Sequence, residues 1–192
     1  MKMLCAGARI SPFPRLLPGR RGWMERAGPV TERRICPPPV DWRRLPPTGR
    51  LRRLCLPGPV GPLWLELRDD CVLRLGFACG QAAPQADAEG WCARLFGGLA
   101  PVPVYLRGTP FQEAVWRALL EIPCGQTRSY GELAAALGRP GGARAVGQAV
   151  GANPLAWLVP CHRVLAAHGP GGYHWGLAVK RRLLALEGVE LP

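Results

Sequence analysis

The stretch Val159-Pro160-Cys161-His162-Arg163-Val164 places a thiol beside an imidazole. A thiol is a weak nucleophile until it ionises, so a reactive cysteine needs a nearby base or a positive potential. His162 is the nearest candidate. Neighbouring residues on extended backbone point to opposite faces, so the pair can cooperate only where the chain turns or a water bridges the two groups. Pro160 suits such a turn, because it fixes its own φ and restricts the residue before it. An apolar run over residues 155–159 precedes the pair and would deliver it into a pocket as a buried strand or tight turn. A bare Cys-His dipeptide, however, is more often a core cysteine with an exposed neighbour than a catalytic pair.

The surroundings change that balance. Asn153-Pro154-Leu155-Ala156-Trp157-Leu158-Val159-Pro160-Cys161-His162-Arg163-Val164, then Gly172-Tyr173-His174-Trp175-Gly176 and residues 180–187, closely resemble the O6-alkylguanine-DNA alkyltransferases. The similarity runs from about Gly108-Thr109-Pro110-Phe111-Gln112 to Gly188. It implies DNA repair by irreversible, single-turnover transfer of the alkyl group of O6-alkylguanine in double-stranded DNA to Cys161, with O4-alkylthymine a second candidate substrate. By the same resemblance His162 takes the thiol proton through a water and Glu187 orients and charge-stabilises the imidazole. Tyr130 protonates the leaving guanine, and Asn153 holds the turn before the cysteine. Main-chain groups at Cys161 and Val164 meet the guanine edge, while the Gly171 to Gly176 loop, with Tyr173, His174 and Trp175, walls the alkyl pocket. Trp157 is expected beside that pocket. No metal or organic cofactor is required. The thioether product has no low-energy route back to a thiol, so the protein is consumed stoichiometrically.

The elements that must position these groups are legible as patterns. Thr109 and Pro110 open an amphipathic helix over residues 111–122, ended by Pro123-Cys124-Gly125. Cys124 also follows a proline, but no histidine or acid stands beside it, and it reads as an inert thiol. Ser129 and Glu132 form a capping box for a helix over 130–137, and a further helix covers 143–150 beyond Gly138-Arg139-Pro140-Gly141-Gly142. Two short helices across a glycine-containing turn make a helix-turn-helix candidate. In the second, Ala143, Ala145, Gly147 and Ala149 leave little bulk, with Arg144 among them. Major-groove readers present long polar side chains to base edges. A nearly bare helix suits a minor groove approached without reading sequence. The resemblance places Arg144 in the space of an extruded nucleotide and Tyr130 against the adjacent phosphate. Gly131, Arg139, Ala143, Ala145 and Gly147 complete the expected DNA-facing set. Residues 177–186 read as a final helix that brings Glu187 back toward Cys161.

Upstream, residues 63–67 and 71–77 alternate around Arg68-Asp69-Asp70 as a hairpin, residues 85–95 suit a short helix and 102–106 a strand. The expected class is α/β: a support domain over 55–107 and a mainly helical DNA-binding and alkyl-acceptor domain over 108–192. Before them, residues 1–54 are crowded with proline and arginine and read as a disordered basic leader. That leader holds 13 of the 25 Lys and Arg but 3 of the 13 Asp and Glu, a net of +10 out of +12. Bulk charge therefore does not argue for DNA binding by the remainder.

The eight cysteines form no C-x-x-C pair and the three histidines all lie late in the chain, so close-paired zinc ligands are not supported. Disulfides are not expected in a reducing compartment. No signal-peptide core or membrane-length apolar run occurs, so a soluble intracellular protein with no membrane partner is expected. The excess of arginine over lysine, 23 to 2, suits a GC-rich bacterial genome, and the resemblance implies a cytoplasmic monomer, associated with the nucleoid when on DNA. Three rival readings are weaker. A non-enzymatic alkylated-DNA-binding module is opposed by Cys161, His162 and Glu187 occurring together. A cysteine hydrolase lacks an oxyanion-hole motif, and a serine hydrolase is opposed by there being only Ser11 and Ser129.

Overall fold

Alternation builds the first layer. In β3, Leu63–Arg68, the leucines at 63, 65 and 67 are buried while Trp64, Glu66 and Arg68 face outward, the period-2 pattern of a strand with one covered face. β3 forms the expected hairpin with β4, Cys71–Phe77, around Asp69 and Asp70. The computed structural model describes residues 34–77 and 89–191. Within them, β1, Val40–Trp42, β2, Leu51–Leu56, and β5, Val102–Val104, complete a five-stranded sheet in the order β1-β5-β4-β3-β2. β2 and β3 run antiparallel, with Arg53 opposite Glu66 and ion-paired to it at 2.8 Å. β1 and β4 both run parallel to β5.

The disordered leader expected through residue 54 is therefore corrected over 34–54, where β1 and most of β2 lie in the sheet. Cross-strand pairing and the packing of Leu56 overrode a composition rich in arginine and proline. The rest of that leader, residues 1–33, lies outside the described residues, as does the start of the helix expected over 85–95. What is described there is a shorter helix, α1, Trp91–Phe96.

The second layer is helical. α2, Pro110–Leu120, opens on a full capping box: Thr109 Oγ1 accepts from Gln112 N at 3.2 Å and Gln112 Oε1 accepts from Thr109 N at 2.9 Å. α3, Tyr130–Ala136, has the same device between Ser129 and Glu132. Each box satisfies two otherwise orphan donors. α4, Ala143–Gly151, packs on α2 through Trp116, whose indole N–H donates to Ala149 O at 2.9 Å. α5, Leu177–Leu186, ends at Glu187. A short parallel pair, β6 (Arg128–Ser129) and β7 (Val164–Leu165), ties the start of α3 to the chain leaving Cys161.

One buried cluster runs through both layers, from Leu56 and Val72 of the sheet to Val146 of α4 and Leu183 of α5. The layers are also joined by main chain: Leu75 N donates to Pro154 O and Ala156 N to Leu75 O, each at 2.9 Å. The sheet thus holds the 154–156 segment that leads into Cys161. No helix among the described residues is long and apolar enough to cross a membrane.

Cys124 departs from expectation. It forms a disulfide with Cys36, with a Cα–Cα distance of 5.9 Å, rather than standing as an inert thiol. Its partner lies in the stretch read as disordered, so no sequence pattern paired them.

Candidate active site

Residues 153–163 form a chain of tight turns held from inside. The Asn153 side chain spans them: its Nδ2 donates to Val159 O at 2.9 Å and Leu155 O at 3.3 Å, and its Oδ1 accepts from Leu155 N at 3.0 Å. These bonds satisfy buried main-chain groups that no regular ladder covers. Trp157 takes a left-handed φ of 68°, a conformation that costs a bulky residue of order 1–3 kcal/mol. Burial of its whole indole and a 2.7 Å hydrogen bond from Nε1 to Leu95 O hold it there. Its ring stacks on His162, with centroids 5.6 Å apart and planes 16° from parallel. Trp157 was expected beside the pocket; it does not line the cavity and lies behind the imidazole as a wall of the core.

The chain then enters a 3-10 turn, Cys161–Arg163, in which all three side chains are buried. This turn lets adjacent residues serve one site, as extended backbone could not. His162 Nε2 lies 2.8 Å from Glu187 Oε1. Glu187 also accepts two bonds from Arg163, Nε to Oε2 and Nη2 to Oε1, both 2.8 Å, and a third from Gly125 N at 3.2 Å. The remaining guanidinium donor, Nη1, reaches Ile122 O at 2.5 Å. A fully buried carboxylate is tolerable only when paired and hydrogen-bonded, and here it is both.

The electrostatics follow from that geometry. Burial pushes the Glu187 carboxyl up, but hydrogen bonds from His162 and Arg163 outweigh it and leave it below its ordinary value. Burial lowers His162 against the opposing pull of Glu187, so the imidazole is neutral near pH 7. With Glu187 ionised as the acceptor, the ring proton sits on Nε2. Nδ1 is then a lone-pair acceptor, and it is buried with no hydrogen-bond partner. Burial raises Cys161, with Asn153, Tyr173 and Lys180 acting in the opposite direction. The 3-10 turn therefore carries a neutral thiol and, at the next residue, a neutral imidazole whose Nδ1 lone pair has no protein partner.

Lys180 is a residue that sequence reading left without a role. Its fully buried ammonium donates to Val164 O at 2.6 Å, Pro170 O at 2.5 Å and Gly172 O at 3.3 Å, tying β7 to the loop that closes the pocket. Burial lowers it to about 8. Arg163 was likewise unassigned. Nothing in a sequence marks which cations fold inward, and the 24-residue separation of Arg163 from Glu187 is set by the fold alone.

A cavity of about 230 Å³ opens over Cys161. Of the expected residues, Tyr130, Gly147, Tyr173, His174 and Trp175 line it with the thiol. Gly172, in the loop expected to wall the pocket, also lines it; Val150 and Gly151 line it and were missed, although positions 150 and 151 follow Gly147 on one helix face. Val164 does not line it: its side chain is in the core and its carbonyl is taken by Lys180. Burial, then Cys161, raises both Tyr130 and Tyr173, so both phenols keep their protons at neutral pH. Outside the cavity, Gly131, Arg139, Arg144 and Ala145 are exposed and Ala143 is half-buried, whereas Ala149 faces the core. The Arg139 guanidinium lies over the Phe111 ring at 4.7 Å.

The chain is similar to known proteins in sequence and in fold. Residues 110–189 match the family model described as the DNA-binding domain of 6-O-methylguanine DNA methyltransferase. A methylated-DNA--protein-cysteine methyltransferase of Mycolicibacterium paratuberculosis is 61% identical over 151 residues, covering 70% of this chain and 90% of that protein. A protein of the same name from Mycobacterium bovis is 58% identical over 92 residues, covering 47% of this chain and, at 56%, little more than half of the relative's length. Among solved structures, Mycobacterium tuberculosis OGT in complex with DNA superposes with a TM-score of 0.59 at 40% identity, covering 70% of this chain and 92% of that one.

Proposed function

The chain belongs to the O6-methylguanine-DNA methyltransferase family, and from that premise we propose that it repairs DNA by moving the alkyl group of O6-alkylguanine irreversibly to Cys161. The observation that carries this reading is the buried thiol at the foot of a cavity, beside an imidazole whose Nδ1 has no partner and whose Nε2 is held by Glu187.

The Cys161 sulfur attacks the alkyl carbon as its proton passes through one water to His162 Nδ1, which has no protein partner of its own. The bond from that carbon to O6 breaks, and its electron pair leaves with the guanine. Glu187 and Arg163 set the imidazole's orientation, and Glu187 stabilises the imidazolium that forms. Tyr130, protonated and lining the cavity, supplies a proton to the leaving base. The thioether that remains ends the protein's working life, and no metal or cofactor takes part in any step.

A base inside a duplex cannot reach this cavity, so the lesion nucleotide must be extruded, at a cost of a few kcal/mol that poor pairing reduces. α3, the 137–142 turn and α4 act as the helix-turn-helix that does this from the minor groove. The support for that role is the exposed edge of α4: Arg144, Ala145, Gln148 and Gly151 face solvent, with one cation among small residues. Arg144 fills the gap left by the base, and Gly147, where a Cβ would lie 3.7 Å from the Tyr130 ring, adds no side chain beside that phenol. Selectivity then comes from weakened pairing and pocket shape rather than from base-edge readout.

The test is stoichiometry. With excess duplex containing labelled O6-methylguanine, transfer should stop at one alkyl group per protein molecule, and fresh duplex should add none. Continued turnover would instead indicate a hydrolase, and binding without transfer a recognition module.

A further inference from the structure

Residues 34–36 lie across the turn that carries Glu187. Ile35 N donates to Leu186 O at 2.9 Å, and Cys36 is bonded to Cys124, 88 residues away in sequence. The next residue, Gly125, has φ of 77° and donates its N–H to Glu187 Oε2 at 3.2 Å. Gly125 and Gly188 both face the Arg34 side chain. A Cβ at Gly125 would lie 2.8 Å from Arg34 Nη1 and 3.1 Å from the Glu187 carbonyl oxygen, and one at Gly188 would lie 2.8 Å from Arg34 Nε. A single crosslink thus ties the 34–36 strap and the Gly125 turn together against the carboxylate that holds His162.

We propose that the Cys36–Cys124 disulfide and the Gly125 main chain form a redox-sensitive positioning device for alkyl transfer, acting through Glu187. In the oxidised protein the crosslink keeps the Gly125 N–H on Glu187 Oε2, and the strap keeps water from that side of the carboxylate. Reduction by a dithiol frees both segments. One thiolate of the dithiol attacks a sulfur of the crosslink, and its second thiol then displaces the mixed disulfide. The Cys36–Cys124 bond breaks, each sulfur gains a proton, and the two electrons come from the dithiol, which ends as a disulfide. Cys161 takes no part. The two bonds from Arg163 remain, so transfer is slowed and not abolished. Cys36, Cys124 and Gly125 are positioning residues, since none lines the cavity.

The inference rests on the alkyl-acceptor reading of Cys161, and its test separates the two. The full chain is prepared oxidised, with the Cys36–Cys124 peptide pair and a free Cys161 thiol identified by mass mapping. Single-turnover transfer from an O6-methylguanine duplex is then measured across about pH 5.5 to 8.5, the range in which histidine titrates. It is repeated after dithiol treatment and removal, after reoxidation, and on the Cys36→Ser, Cys124→Ser double variant. Reduction should slow transfer by about three- to tenfold, a fraction of the roughly 100-fold or more that a positioned base contributes. It should also displace the acid limb of the profile, and reoxidation should restore both. The double variant should be slow with or without dithiol. Identical rates and limbs in oxidised and reduced protein overturn this inference alone, as does absence of the crosslinked peptide. Failure of transfer in every form overturns it together with the acceptor reading.

Discussion

Two cysteines in this chain follow a proline, Cys124 and Cys161, and they end in opposite circumstances. Cys124 is half-buried just beyond α2, joined to Cys36, with no acid or imidazole beside it in the chain. Cys161 is 3% exposed at the foot of a cavity and sits in a 3-10 turn that sets it with His162 and, through that ring, with Glu187. The dipeptide decides neither outcome. What separates them is a neutral base with an unpartnered lone pair, held in one tautomer by an ionised carboxylate that is itself held by Arg163. Burial alone would make Cys161 less reactive, because it raises the thiol. Proton removal during attack, rather than a standing thiolate, is therefore the route this geometry supports.

The sharpest contrast is removal of each thiol in turn. Cys161→Ala should abolish alkyl uptake while leaving binding of lesion duplex measurable by gel shift, whereas Cys124→Ser should keep the full one-equivalent capacity at a reduced rate. Next comes Glu187→Gln, which keeps the shape but removes the charge. Single-turnover transfer should fall about 100-fold or more. Stability in urea should fall by about 3 kcal/mol, because Arg163 is left buried without its counter-charge. An unchanged rate in that variant would dissolve the distinction between the two cysteines.

Acid should erase the difference more gradually. His162 is lowered, so its base form persists below the ordinary histidine value and the transfer rate should hold through pH 6.5, then fall. Stability moves the same way. The unfolded chain binds a proton at His162 before the folded one does, so stability declines as pH drops below that value. Glu187 is also lowered, so its contribution is complete above pH 4.5 and is lost as pH falls through its folded value. A rate that rises on acidification would contradict the assignment of the base. The smallest effect belongs to the helix edge. Arg144→Ala should weaken lesion-duplex affinity by about tenfold and reduce the salt dependence by about one released ion, with the chemistry of Cys161 toward a free O6-alkylguanine base unchanged.

Legibility followed physical cause. The capping boxes at Thr109 and Ser129 were readable because a cap is a local bargain between a side chain and the backbone three residues on. The β3–β4 hairpin was readable because alternation survives in the leucines at 63, 65 and 67. β2 was not, since its Arg52-Arg53 pair breaks the alternation and only Glu66 opposite makes sense of it. Around the site, Cys161, His162, Glu187 and Asn153 were reached through family resemblance, and the fold brings them together as proposed partners. Lys180 and Arg163 were not, because burying a cation is a property of its acceptors, which lie on other elements. The left-handed Trp157 was missed for a related reason: its conformation is imposed by burial of the indole, and no local residue choice announces it.

The most direct measurement is the intact mass of the protein before and after incubation with a duplex containing O6-methylguanine, followed by mapping of the modified peptide. A gain of one CH2 unit per molecule, confined to the peptide holding Cys161, is the expected result. An unchanged mass, or the same gain on a peptide holding Cys124 or any other cysteine, would contradict the account.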